Sequence, residues 1–140
     1  MSIICNMKNA YIEKAWNYNG YDCICIATPM GHRCGYVAIP KNHTFYGKSD
    51  ENVNIQVHGG LTFGGISGIY PRDIEPDTWW LGFDCAHSDD NPDPTLLDET
   101  RRHIYEFKSY DDGYSSIKTL DFVERECNNM VDQIIELIKG

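Results

Sequence analysis

Two alternating runs, AYIEKAWNY (residues 10–18) and YDCICIAT (21–28), are separated by nothing but Asn19-Gly20. A loop this short can join only antiparallel neighbours, because a parallel partner needs a crossover of a dozen or more residues. Asn-Gly is also the pair that best tolerates positive φ at both central positions of a type I′ turn. The chain is therefore committed to an antiparallel sheet from its first hairpin.

The next segments extend that reading. HRCGYVAIP (32–40) is a short strand ended by Pro40, and KNHTFYGKSDEN (41–52) is a polar, turn-rich loop. VNIQVHGG (53–60) alternates apolar and polar residues and breaks at its glycines. LTFGGISGIY (61–70) is a strand that Gly64, Gly65 and Gly68 make irregular, and PRDIEPD (71–77) connects it onward. TWWLGFDCAH (78–87) is a strand and SDDNPDP (88–94) a loop. In that strand Trp79, Leu81, Phe83 and Cys85 share a core-like face. Trp80, Gly82, Asp84 and Ala86 share the other. Neither face is fully polar, so both are expected to be covered, with Gly82 leaving room for a flat ligand. TLLDETRRHIYEFK (95–108) fits either a short helix or a strand running into a turn, and SYDDGYSS (109–116) reads as a turn.

The end of the chain changes period. Leu120, Val123, Cys127, Met130, Val131, Ile134 and Ile138 recur at helical spacing. Thr119 is placed to cap this helix, Asp121 and Glu124 suit its positive end, and Lys139 and Gly140 suit its close. The expected architecture is α+β: an antiparallel sheet packed by a C-terminal helix, in a single domain over residues 1–140.

A formal charge of −9 with no compensating Lys/Arg run argues against duplex nucleic acid as a partner. A few arginines can still receive a small anion. MSIICNMKNAYIEKAW has no basic segment leading into a long apolar core, and no stretch is apolar enough to span a membrane. A cytosolic protein with reduced cysteines is expected. The six cysteines form no CxxC and read as small buried hydrophobes.

Several groups have the chemistry for a site. His58, Asp84, Cys85, His87, Asp89 and Asp90 include every ligand type of a zinc or manganese hydrolase, but none of the tight spacings. A metal-dependent hydrolase of a cyclic nucleotide, built on His58, Asp84 and His87, stands as one alternative. A protein-interaction module anchored by the tryptophans is another. HGGLTFGG (58–65) is not a P-loop, since it lacks GxxxxGK[ST] and no helix start follows. It is read as backbone shaped for a ligand or a subunit contact. Arg101-Arg102-His103 is the one concentrated positive group, suited to pyrophosphate or to stacking on adenine.

Taken together, MGHRCGYVAIPKNH (30–43), HGGLTF (58–63) and WWLGFDCAHSDDNPD (79–93) resemble the phage anti-Thoeris sponge family. The resemblance covers about residues 20–93, and less specifically the closing helix. It implies a non-catalytic protein, without cofactor or metal, that captures a cyclic ADP-ribose isomer made by a bacterial Thoeris defence enzyme. The ligand would be held intact in the cytoplasm of the infected host. It further implies homo-oligomers built from dimers and, in some members, cyclic di- or trinucleotides at a second kind of site. Carried over, Phe83 and Asn91 fall in the matched block and Arg102 beyond it, with Arg33 placed to reach phosphate. Asp84 and His87 complete the candidate ligand-binding set. On this reading Phe83→Ala and Arg102→Ala weaken binding and leave the fold intact.

Overall fold

The computed structural model describes residues 9–48, 53–66, 74–75, 77–86, 90–97 and 116–139. β1 (Tyr11–Tyr18) and β2 (Tyr21–Ala27) form the expected hairpin, with Asn19 and Gly20 at φ 49° and 89°. β3 is Arg33–Ile39, β4 Phe63–Ile66 and β5 Trp79–Asp84. All five join in one antiparallel sheet of order β1-β2-β3-β5-β4. The α1 helix, Leu120–Lys139, closes the domain. The Thr119 hydroxyl accepts from the Phe122 N–H at 3.2 Å, which makes Thr119 the predicted cap.

The helix lies across one face of the sheet. It inserts Val123, Cys127, Met130, Val131 and Ile134 among Cys23, Cys25, Val37, Ile39, Leu81, Phe83 and Cys85. The opposite face buries Ile24, Ile26, Cys34, Tyr36, Ala38 and Trp80. The central strands are thus covered on both sides, which is why β3 reads as a continuous apolar run instead of alternating. Polar pairs along the rim fix the helix: Trp16 Nε1 donates to Asn128 Oδ1 at 2.9 Å, Tyr18 donates its hydroxyl to Asp132 at 3.2 Å, and Lys14 pairs with Glu124.

Two glycines let large rings into the centre of the sheet. Gly35 faces Phe83, and Gly82 faces both Tyr36 and Phe63. A Cβ on Gly35 would sit 2.7 Å from the Phe83 ring and from Cys127 Sγ. On Gly82 it would sit 2.1 Å from Tyr36 Cδ1. Tyr36 and Phe63 meet edge to face, with centroids 5.8 Å apart. The space that the sequence reserved beside Gly82 for a flat ligand is therefore filled by the protein's own tyrosine.

Two segments depart from expectation. Residues 53–57 lie outside the ladder, with Ile55 N donating to Val53 O at 3.1 Å. Val53 and Ile55 are buried, and the Gln133 carboxamide on α1 replaces a neighbouring strand. Its Oε1 accepts from Gln56 N at 2.7 Å and its Nε2 donates to Gln56 O at 2.6 Å. The segment expected as a loop after β5 contains β6 (Asp90–Asn91), which pairs in parallel with β7 (Ser116–Ile117). A 3-10 turn follows at Pro94–Leu96, capped by Asp93. Most of TLLDETRRHIYEFK lies outside the described residues.

Candidate ligand-binding site

The glycine-rich stretch answers first. Gly60 N donates to Val57 O at 2.8 Å, closing a turn over His58-Gly59, and Gly59 and Gly60 adopt φ 69° and 82°. That conformation excludes most side chains. The turn delivers His58 to the end of the sheet where β6 arrives. His58 Nε2 lies 2.9 and 3.0 Å from the two carboxylate oxygens of Asp90. Its backbone N–H donates to Glu126 Oε1 at 2.9 Å, and its ring stands edge-on to Phe122 at 5.3 Å. The Asp90 side chain is fully buried, and Lys118 Nζ lies 3.1 Å from the same carboxylate. A carboxylate so buried requires partners of this kind.

A second ionic group adjoins the first. The register of β1 slips between Ile12 and Lys14, leaving Glu13 as the bulged residue. The bulge turns its carboxylate onto Arg33. Arg33 Nε donates to Glu13 Oε1 at 2.6 Å and Nη2 to Oε2 at 3.1 Å, a bidentate pair. Nη1 donates to Asp93 Oδ2 at 2.9 Å and to the Lys118 carbonyl at 3.1 Å. Burial works against the Arg33 charge, yet Glu13 and Asp93 outweigh it and raise its pKa further. Burial likewise pushes Asp93 up, but the hydroxyl and N–H of Thr95, with Arg33, hold it below the usual carboxylate range. The Lys118 carbonyl joins the two groups into one network running Glu13–Arg33–Lys118–Asp90–His58.

The placement of each sequence candidate follows from this network. Arg33, the residue expected to reach phosphate, is 5% exposed, with its guanidinium bonded to Glu13, Asp93 and the Lys118 carbonyl. Asn91 lies between the two anchored aspartates, and among the described residues its carboxamide makes no side-chain hydrogen bond. Asp84 ends β5, with Oδ1 accepting from Ala86 N at 3.1 Å. Phe83 is 1% exposed beneath α1, over Gly35. Truncating a ring so placed costs about 3–5 kcal/mol of stability, so Phe83 occupies the core face that strand alternation gave it, and Phe83→Ala carries a folding cost against the expectation that it leaves the fold intact. His87 and Arg102 lie outside the described residues, as do Asp89, Arg101 and His103.

Among the described residues, no three His, Cys, Asp or Glu side chains are grouped to hold a metal ion. Cys85 packs in the core, where burial raises its thiol pKa well above the ordinary value, an environment that disfavours the thiolate needed by a ligand or nucleophile. Sequence reasoning missed Glu13, Asp93 and Lys118. A lone bulge and a two-residue parallel pairing leave no periodic signal. No described helix is long and apolar enough to cross a membrane. Comparison with protein-family models, with curated proteins and with solved structures gives no match.

Proposed function

We propose that this protein is a non-catalytic sequestering protein for a cyclic ADP-ribose immune signal, acting against a Thoeris-type bacterial defence. The observation that carries the reading is the convergence of the three sequence blocks that resemble anti-Thoeris sponges. Arg33 comes from the first block, His58 from the second, and Asp90, Asn91 and Asp93 from the third. Contacts of 2.9 Å join Arg33 to Asp93 and His58 to Asp90. Blocks separated along the chain thus build one corner of the molecule, as parts of a single site would.

The chemistry of that corner divides the labour. Glu13 and Asp93 pair with Arg33, and Asp90 pairs with Lys118, so these cations are already matched by carboxylates. Attraction for a pyrophosphate is assigned to the Arg101-Arg102-His103 group on its sequence chemistry, two consecutive arginines. Asn91 supplies a neutral amide for ribose or base edges, offering both donor and acceptor. Nanomolar capture requires about −12 kcal/mol, whereas a charged hydrogen bond contributes about 1.5–3 kcal/mol. Several contacts must converge, and an oligomer that closes the ligand at a subunit interface provides them.

The test is a titration of a fixed amount of cyclic ADP-ribose isomer with purified protein, following both free ligand and linear product. The expected result is depletion that stops at a fixed stoichiometry with no linear product. Continued loss of ligand beyond one equivalent per site, with product accumulating, would replace this reading by the hydrolase alternative.

A further inference from the structure

We infer that Arg33, held by Glu13, is a positioning residue for Asn91 and makes no contact with ligand itself. The inference rests on the sequestration reading above, since it takes Asn91 as the group offered to the signal. Four N–H groups of Arg33 are committed, to Glu13 twice, to Asp93, and to the Lys118 carbonyl. A guanidinium has five, and this one is almost wholly buried. Little remains for a phosphate, whereas two of its bonds, to Asp93 and to the Lys118 carbonyl, reach the segments that flank the strand pair carrying Asn91, and the two to Glu13 anchor it to β1.

The mechanical connection is short. Asn91 pairs with Ile117 across β6–β7, a ladder of two residues on each side that cannot hold its own geometry. Support comes from outside. Asp90, one residue before Asn91, is fixed by Lys118 and His58. Asp93, two residues after, is fixed by Arg33, and its N–H donates to Gly31 O at 2.8 Å. Gly31, at φ 92°, has no Cβ, and one built there would meet Pro92 Cβ at 2.6 Å. The chain around Asn91 is therefore pressed onto the Gly31 turn from one side and pinned by charge from both. Arg33 also holds the Lys118 carbonyl, so the same side chain ties β6 and the residue after β7 to the body of the sheet. Buried ion pairs of this sort contribute little net stability and serve geometry instead.

Two measurements test this, one of them independent of ligand. The first compares amide exchange at Asp93 N–H in wild type and Glu13→Gln, with Arg33→Lys as the stronger variant. Removing the bidentate partner should speed exchange at Asp93 by about tenfold while the α1 amides keep their protection. Unchanged exchange at Asp93 in both variants, or uniform acceleration through α1, overturns the inference. The second is a double-mutant cycle on affinity for the captured cyclic ADP-ribose isomer. Glu13→Gln should weaken binding by about tenfold in wild type and by less than about twofold in Asn91→Ala, because the clamp acts through Asn91. Equal losses in the two backgrounds overturn it. If wild type captures no isomer, the sequestration reading fails, and the exchange comparison alone decides whether Arg33 holds the Asn91 segment.

Discussion

Gly82→Ala tests the packing that replaced the expected ligand gap. The new methyl would lie 2.1 and 2.4 Å from Tyr36 Cδ1 and Cε1, and 2.8 Å from the Gly35 carbonyl oxygen. Carbon contacts settle at about 3.5–4.0 Å, so the ring must retreat by more than about 1 Å. It has nowhere to go, because Tyr36 is buried and set edge-on against Phe63. The Gly35 oxygen is backbone and cannot move without disturbing the β3–β5 register. Overpacking of this kind costs about 1–3 kcal/mol, and two simultaneous collisions place the expectation at about 2–3. At about 2–4 °C per kcal/mol for a chain near this size, the midpoint falls by about 5–10 °C. Urea and thermal unfolding followed by tryptophan fluorescence read this directly. In a Tyr36→Ala background the same substitution should cost clearly less, because only the contact with the Gly35 oxygen is left. A Gly82→Ala protein as stable as wild type, or an equal cost in both backgrounds, refutes the claim that Tyr36 occupies the space above Gly82.

Other outcomes follow from burial and titration. Cys23, Cys25, Cys34, Cys85 and Cys127 are buried thiols, and burial first, then Asp22 and Glu124, push the Cys23 thiol up to about 12. At neutral pH a soluble thiol reagent should label these five only as the protein unfolds; fast labelling of any of them, located by peptide mapping, would contradict this core. His43 Nδ1 accepts from Phe45 N at 3.0 Å, which puts its proton on Nε2, 2.8 Å from the Tyr21 hydroxyl oxygen. Burial lowers its pKa below 6.5. The unfolded chain therefore takes up this proton first, so stability is complete above pH 6.5 and falls as pH drops from there through the folded value. His43→Asn should flatten that part of the pH–stability curve; an identical acid slope in the variant would show that another group is responsible. Asp93 is held low, so its contribution is present above about pH 3.8 and lost as pH falls through its lower folded value. Asp93→Asn should accordingly lessen the loss of stability in strong acid, and an unaltered acid limb would show that Asp93 is not among the groups setting it.

The features legible in the sequence are those encoded locally. Asn19-Gly20 fixes its hairpin through the φ values that only such residues accept, and the α1 stripe repeats often enough to define a face. Both appear in the structure where they were expected. The site was legible only as fragments. His58, Asp84 and Asp90 were marked by residue type, but nothing near Asp90 in the chain announces that Lys118 and His58 will share it. Arg33 illustrates the limit best. Its place in the GHRCGY stretch suggested phosphate, whereas its partners come from a bulge in β1 and a turn after β6, some 20 residues before it and 60 after. Gly82 fails for a related reason. Alternation along one strand says which way a position faces, not which ring the neighbouring strand lays over it.

The most direct test of the central claim is capture and release. Purified protein is mixed with cyclic ADP-ribose isomers, freed of unbound nucleotide, then heat-denatured, and the released compound is identified by mass and by its ability to activate a Thoeris effector. The expected result is an intact, active signal in fixed proportion to protein. A linear, inactive product, or no nucleotide at all, would contradict it.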